Sequence, residues 1–327
     1  MKRAVIQGIG HAVPDTVLTN ADLEKLVNTN DEWIKQRTGI SERRVCGPND
    51  TATSLALTAG QRALDASGIT AEEIEMVVVG TVTGDYPFPS ASCLVQDAIG
   101  AKNAGAFDVG AACAGFIYSL ATAGAMVEAG HIRNALVIGV DVLTKYVDYT
   151  DRSTCVLFGD GAGAVVLKGE ENTDRGVIET VLLSDGSGAK HIGMDVGGSL
   201  HPTCSPTTSG RNPYLFMAGA EVYRFAVGAM GDACLRVLER VGMNASDIDL
   251  FVPHQANLRI IESAAGKLDL PEEKVFINVQ KYGNTSGGSI PIALSEAQEQ
   301  GRLKKGDLVM TVGFGAGLVW GANLIRW

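Results

Sequence analysis

The sequence predicts an α/β fold in which one α/β unit occurs twice. Three observations carry that prediction. Short β-branched runs alternate with alanine-rich stretches of helical spacing, and 40 glycines are spread along all 327 residues rather than gathered in one segment. LDASGITAEEIEMVVVG (64 to 80) aligns without a gap against LERVGMNASDIDLFVPH (238 to 254), each a helix end, a glycine, an acidic turn and an apolar strand. The polar stretch GEENTDRG then puts a boundary near residue 172, giving halves 1–172 and 173–327. The competing account is chance, because turn chemistry recurs among unrelated helix–turn–strand units.

Taken in order, GIGHAVP (8 to 14) begins like a dinucleotide-binding turn after a strand. It lacks the third glycine and has Pro14 where a helix should start, which argues against that use. Strands are predicted at Met76 to Val79, Ala106 to Val109, Ala135 to Val140, Gly163 to Leu167, Leu250 to Val252, Leu308 to Val312 and Ala322 to Arg326. SLATAGAMVEAG has the spacing of an apolar-faced helix ending at Gly130. FGDGAGAVVL (158 to 167) has no Lys-Ser/Thr ending, so it is a turn entering a buried strand and not a phosphate loop. Residues 185 to 213, rich in Gly, Ser, Thr and Pro, read as a long loop of the kind that carries function.

A hydrophobic content of 46% supports a large core, and no apolar run approaches the length of a membrane span. The N-terminal stretch lacks the apolar region of a signal peptide, so the expected location is the cytoplasm. Cys46, Cys93, Cys113, Cys155, Cys204 and Cys234 are scattered without CxxC pairs, which supports neither a disulfide framework nor a zinc site. A net charge of −10 disfavours nonspecific nucleic-acid binding, and an acidic partner would need a local basic patch.

Chemistry concentrates at three turns. Cys113, in AFDVGAACAGF, falls between a strand and a helix, where the helix dipole and unpaired N–H groups favour a thiolate and should lower its pKa. Small neighbours leave the sulfur accessible, although a buried core cysteine fits the same segment. His254 follows Pro253 at a strand end, and Asn284 sits in the Gly- and Ser-rich turn KYGNTSGGSIP. Singly, each fits a structural turn residue. Together they supply a sulfur nucleophile and two N–H donors for an oxygen that becomes negative. VGFGAGLVWG (312 to 321) is either a tight hairpin or a further source of backbone donors.

DVGAACAGF, VPHQANLRI and GNTSGGSIP, together with TNADLEKLVNTNDEWIKQRTGISER, FPSASC, FGDGAGA and FGAGLVWG, resemble the thiolase-like condensing enzymes, closest to β-ketoacyl-acyl carrier protein synthase III. The resemblance runs along the whole chain and implies the thiolase-like, duplicated five-layer αβαβα fold. It implies that an acyl-CoA acylates Cys113 and that malonyl-acyl carrier protein then loses carbon dioxide. His254 and Asn284 would hold the resulting enolate, which attacks the acyl-cysteine. Two such donors are worth roughly 3 kcal/mol each to the barrier. No metal or cofactor is implied, the coenzyme A thioester being a substrate.

The resemblance also implies backbone oxyanion donors at Cys113 and Ala316, an adenine and phosphate site at Trp33, Arg37 and Arg152, and a carrier-protein patch at Arg224, Arg259 and Lys267. Phe88 would cross a homodimer interface to line the partner's acyl pocket, core packing being its alternative. Two other readings stay open: a secondary-metabolite condensing or acyl-transfer enzyme on the same scaffold, and a Cys-His-Asn thiol hydrolase. The hydrolase predicts a secreted, disulfide-bearing chain and a tryptophan-containing cysteine motif, neither of which the sequence has.

Overall fold

The computed structural model describes residues 2–327 and contains two central sheets. The first is built from β1 (Lys2–Ala12), β2 (Met76–Gly80), β3 (Gly105–Val109), β4 (Asn134–Val142) and β5 (Asp160–Glu171), in the order β1-β5-β4-β2-β3. The second holds β6 (Gly176–Ser184), β7 (Leu250–Pro253), β8 (Leu308–Gly315) and β9 (Val319–Arg326), in the order β7-β8-β9-β6. The parallel pairs are β2 with β3, β2 with β4, and β7 with β8; the remaining neighbours are antiparallel. The chain passes from the first sheet to the second between β5 and β6, where Asn172 takes a φ of 55°.

Helices complete five layers. α1 (Asp31–Thr38) stands at the edge, while α2 (Ala52–Ser67) and α3 (Ala91–Ala98) cover the outer face of the first sheet. α4 (Gly115–Glu128) runs between the sheets, and α5 (Gly219–Val241), backed by α6 (Leu258–Lys267), covers the outer face of the second. α7 (Ser289–Glu299) joins α4 in the middle. Strand alternation sorts the side chains among these layers. Val77 and Val79 face α2 while Val78 faces the centre; Phe251 faces α5 while Leu250 and Val252 face the centre. Each such buried side chain contributes about 1.5–3 kcal/mol.

The two aligned segments adopt one local structure. Gly68 and Gly242 end α2 and α5 in left-handed conformations, at φ 69° and 66°. A short 3-10 turn follows each, closed by Thr70 with Glu73 and by Asn244 with Asp247, and then comes β2 or β7. The glycines of GIGHAVP serve packing: a Cβ on Gly8 would lie 2.3 Å from the Ala63 carbonyl oxygen of α2. In FGDGAGAVVL the strand already starts at Asp160, and a Cβ on Gly163 would lie 2.6 Å from Pro291 Cβ of α7.

Every predicted strand is present, whereas β6 was not singled out. Its burial alternates poorly because it is the edge of the second sheet. The long loop is also more ordered than its composition predicts. Ile192–Met194 pairs antiparallel with Leu215–Met217 in a two-stranded ribbon beside the site.

Candidate active site

Cys113, His254 and Asn284 come together in one cavity of about 490 Å³. Cys113 sits in a 3-10 turn, Ala112–Ala114, that leads directly into α4. Ala112 is left-handed, at φ 44°, a strained state for alanine that turns the chain toward the helix. Gly315, at the end of β8, has to be bare, because a Cβ there would meet the Cys113 backbone nitrogen at 2.6 Å. His254 leaves β7 with its N–H donated to the Val312 carbonyl at 2.7 Å. Asn284 is held by its N–H to the Leu157 carbonyl at 2.9 Å and its carbonyl to the Gly159 N–H at 3.0 Å.

The side chains are oriented as firmly as the backbone. Asn284 Oδ1 accepts the Ser286 N–H at 2.8 Å, which leaves the amide NH₂ for the cavity. His254 Nδ1 lies 2.6 Å from Ser289 Oγ, and its ring packs edge-on to Phe314 at 5.6 Å between centroids. His254 Nε2 is buried without a partner among the described residues. The Ser286 hydroxyl donates to Cys113 Sγ at 3.1 Å.

Burial governs the electrostatics. It pushes the His254 imidazole down to about 3, so the ring is neutral at physiological pH. It pushes the Cys113 thiol up to about 12, with the buried Asp141 carboxylate adding to the rise and the Ser286 hydroxyl opposing it. This corrects the expectation of a lowered cysteine pKa. Desolvation outweighs the start of α4, and the resting site holds a thiol. The cavity therefore contains a nucleophile, the Asn284 amide NH₂ and a neutral imidazole with an unpartnered Nε2. Its histidine is no proton acceptor for the thiol if its free nitrogen carries the proton.

The sequence matches two family models: 3-oxoacyl-[acyl-carrier-protein] synthase III over residues 107–186, and the C-terminal model of the same enzyme over residues 238–327. The β-ketoacyl-[acyl-carrier-protein] synthase III of Caldanaerobacter subterraneus is 49% identical over 324 residues, covering 99% of this chain and 98% of that one. The crystal structure of 3-oxoacyl-[acyl-carrier-protein] synthase III from Aquifex aeolicus superposes with a TM-score of 0.92 at 44% identity, covering 99% and 100% of the two chains. The chain belongs to the β-ketoacyl-acyl carrier protein synthase III family. The priming β-ketosynthase of the R1128 polyketide pathway has the same fold at 35% identity and a TM-score of 0.92, covering 99% of this chain and 96% of its own.

Of the remaining residues expected of a synthase III, several line this cavity or its neighbour and others lie apart from it. Ala316 lines a second cavity of about 260 Å³ that meets the first at Cys113 and is walled by Val82, Leu143, Ile192 and Leu215. Trp33 and Arg37 line the main cavity. The Arg152 guanidinium lies 4.9 Å from the Trp33 ring centroid and that of Arg37 5.6 Å from it, so both cations meet the indole. Arg259 lines the mouth and stacks on Tyr223 at 5.4 Å. Arg224 and Lys267 are on the neighbouring surface, but Glu221 and Asp232 pair with them at 3.0 Å and 2.5 Å, which makes the patch less basic than three free cations. Phe88 is 85% exposed, which excludes the core-packing alternative, and it lines neither cavity of its own chain.

Sequence reasoning missed Ser286, Ser289 and Asp141. The first two lie in the quoted GNTSGGSIP turn, where two serines look like turn formers. Asp141 ends up wholly buried: Oδ1 accepts from Thr81 Oγ1 (3.1 Å), Val82 N–H (2.9 Å) and Thr83 Oγ1 (2.8 Å), and Oδ2 from Gly287 N–H (3.1 Å). It ties the rim of the second cavity to the turn carrying Asn284. An acidic residue ending the apolar run ALVIGVD is the one signal available in advance.

Proposed function

We propose that this chain condenses an acyl-CoA primer with malonyl-acyl carrier protein, with loss of carbon dioxide, to give a 3-oxoacyl-acyl carrier protein. That reaction starts type II fatty acid synthesis. The observation that carries the reading is the neutral His254 imidazole, its Nε2 unpartnered, and the Asn284 amide beside a thiol with a small apolar cavity behind it. A thiol hydrolase needs a histidine that takes the thiol's proton; burial to a pKa of about 3 unfits His254 for that task.

In the first half-reaction Cys113 sulfur adds to the acyl-CoA carbonyl. The oxyanion rests on the backbone N–H groups of Cys113 and Ala316, the coenzyme thiolate leaves, and the thiol proton departs with it. Ser286 stabilises the sulfur as it becomes negative. In the second, the C–CO₂⁻ bond of the malonyl group breaks and its electron pair moves onto the thioester oxygen. His254 and Asn284 donate to that oxygen, each for roughly 3 kcal/mol. The enolate carbon attacks the acyl-cysteine carbonyl, Cys113 leaves as thiolate, and a proton from solvent restores the thiol.

The cation-flanked Trp33 supports a place for the adenine, the Arg152 guanidinium lifting to admit it, with Arg37 pairing a phosphate. Arg259, Arg224 and Lys267 are the proposed contact with the acidic carrier protein. Exposed Phe88, Tyr86 and Val82 support a homodimer in which Phe88 reaches the partner's acyl cavity. Among the described residues no helix is long and apolar enough to cross a membrane. Six free cysteines suit the reducing cytoplasm, where we place the enzyme.

The test is intact mass after mixing the protein, beside Cys113→Ala, with acyl-CoAs of rising length and branching, followed by malonyl-acyl carrier protein. The reading requires an acyl increment on the Cys113 protein alone and conversion of the carrier to its 3-oxoacyl form. Acylation followed by hydrolysis, with no condensation product, would overturn it.

A further inference from the structure

A neutral imidazole carries one proton, so His254 presents a donor to the cavity only if Nδ1 is the bare nitrogen. The surroundings of Nδ1 decide which nitrogen that is. Its one hydrogen-bonding neighbour among the described residues is Ser289 Oγ, at 2.6 Å. The backbone N–H of Gln255 also points at that oxygen, from 3.4 Å, and an N–H can only donate. Ser289 is the first residue of α7 and 1% exposed, and among the described residues no carbonyl takes its hydroxyl hydrogen. The hydroxyl thus has one lone pair engaged by Gln255 and one hydrogen with a single place to go. The opposite tautomer would put two donors on the serine oxygen, strand its hydrogen in the core, and turn a bare nitrogen toward the cavity.

We propose that Ser289 is a positioning residue that fixes His254 as the Nε2–H tautomer by donating its hydroxyl hydrogen to Nδ1. Phe314 edge-on to the ring and the Val312 carbonyl on the His254 N–H hold the imidazole where that hydrogen bond is short. The assignment deepens the condensation reading and rests on it only for its catalytic consequence. A proton on Nε2 is what lets the residue serve the enolate oxygen.

Protein labelled with ¹⁵N in its five histidines reads the tautomer directly by long-range ¹H–¹⁵N correlation, with His254→Gln identifying the resonances. The expected pattern is a protonated Nε2 and a bare Nδ1, unchanged between pH values near 5.5 and 8. In Ser289→Ala the two nitrogens move toward averaged shifts, and carbon dioxide release from malonyl-acyl carrier protein falls by about 10- to 100-fold, far more than the rate of Cys113 acylation. A wild-type spectrum showing Nδ1–H overturns the proposal without any variant. So does Ser289→Ala that keeps the Nε2–H pattern and full decarboxylation. Wild-type protein with the Nε2–H pattern that releases no carbon dioxide would instead sink the condensation reading and leave the tautomer assignment standing.

Discussion

The two halves of the molecule enter their central helices through the same device and use it differently. In the first, left-handed Ala112 (φ 44°) opens the 3-10 turn Ala112–Ala114 before α4; in the second, left-handed Ser286 (φ 50°) opens the turn Ser286–Gly288 before α7. The residue after the left-handed one is Cys113 in the first half and Gly287 in the second, where the backbone N–H binds Asp141 instead. The ungapped alignment sets Gly80 opposite His254 in the same way. Gly80 is bare because a Cβ there would lie 2.5 Å from the Gly115 carbonyl carbon at the start of α4, whereas His254 carries the donor. One copy seats the nucleophile and the other supplies the groups that hold the enolate. A duplicated scaffold can thus build an asymmetric site by exchanging glycine and function at equivalent turns.

The largest effect should come from removing the residue that breaks the symmetry at the helix entry. Cys113→Ala should abolish acylation and lower condensation by at least about 10³-fold, while carbon dioxide release from malonyl-acyl carrier protein continues at the other half's donors. Parallel loss of both activities, followed by mass and by gas release, would show that the halves do not act separately. Next comes packing. Gly80→Ala forces its methyl group into the α4 entry and should cost about 1–3 kcal/mol by urea unfolding, with slower acylation. An unchanged midpoint would remove the packing account of that glycine.

The pH dependence sharpens the same contrast. The folded His254 pKa of about 3 lies below the ordinary 6.5, so its contribution to stability is present above pH 6.5 and is lost as pH falls toward 3. The folded Cys113 pKa of about 12 lies above the ordinary 9, so its contribution is present below pH 9 and is lost as pH rises through 12. Cys113→Ala should remove part of the alkaline side of a stability profile, the buried Cys155 and Cys234 thiols keeping the rest, and His254→Gln part of the acid side. Decarboxylation should show no imidazole inflection near pH 6.5. The smallest effect concerns the mouth: Arg259→Glu should raise the KM for the carrier protein by a few-fold, and added salt should blunt the difference between the two proteins. Equal salt slopes would remove Arg259 from the contact.

Much of this was legible in the sequence because it rests on local patterns. Apolar runs announced the strands, the repeat announced the paired helix–turn–strand units, and three chemical residues in small-residue turns announced the site. What escaped depends on three-dimensional surroundings. The Cys113 pKa was read from the helix that follows it, whereas burial, the Ser286 hydroxyl and the Asp141 charge, which distant segments supply, also act on the thiol. Ser286 and Ser289 lie three residues apart in one Gly-rich turn, yet one reaches the thiol and the other the imidazole. Which serine meets which partner is set by the docking of the α7 entry between the two sheets. β6 escaped because an edge strand has no strict alternation to reveal it.

The division of labour between the halves is tested most directly by measuring, on His254→Ala and Asn284→Ala, both Cys113 acylation by intact mass and carbon dioxide release from malonyl-acyl carrier protein. The account predicts that acylation persists in both variants while carbon dioxide release falls by about 10²- to 10³-fold. Decarboxylation at the wild-type rate in either variant, or loss of acylation to the same degree, would contradict it.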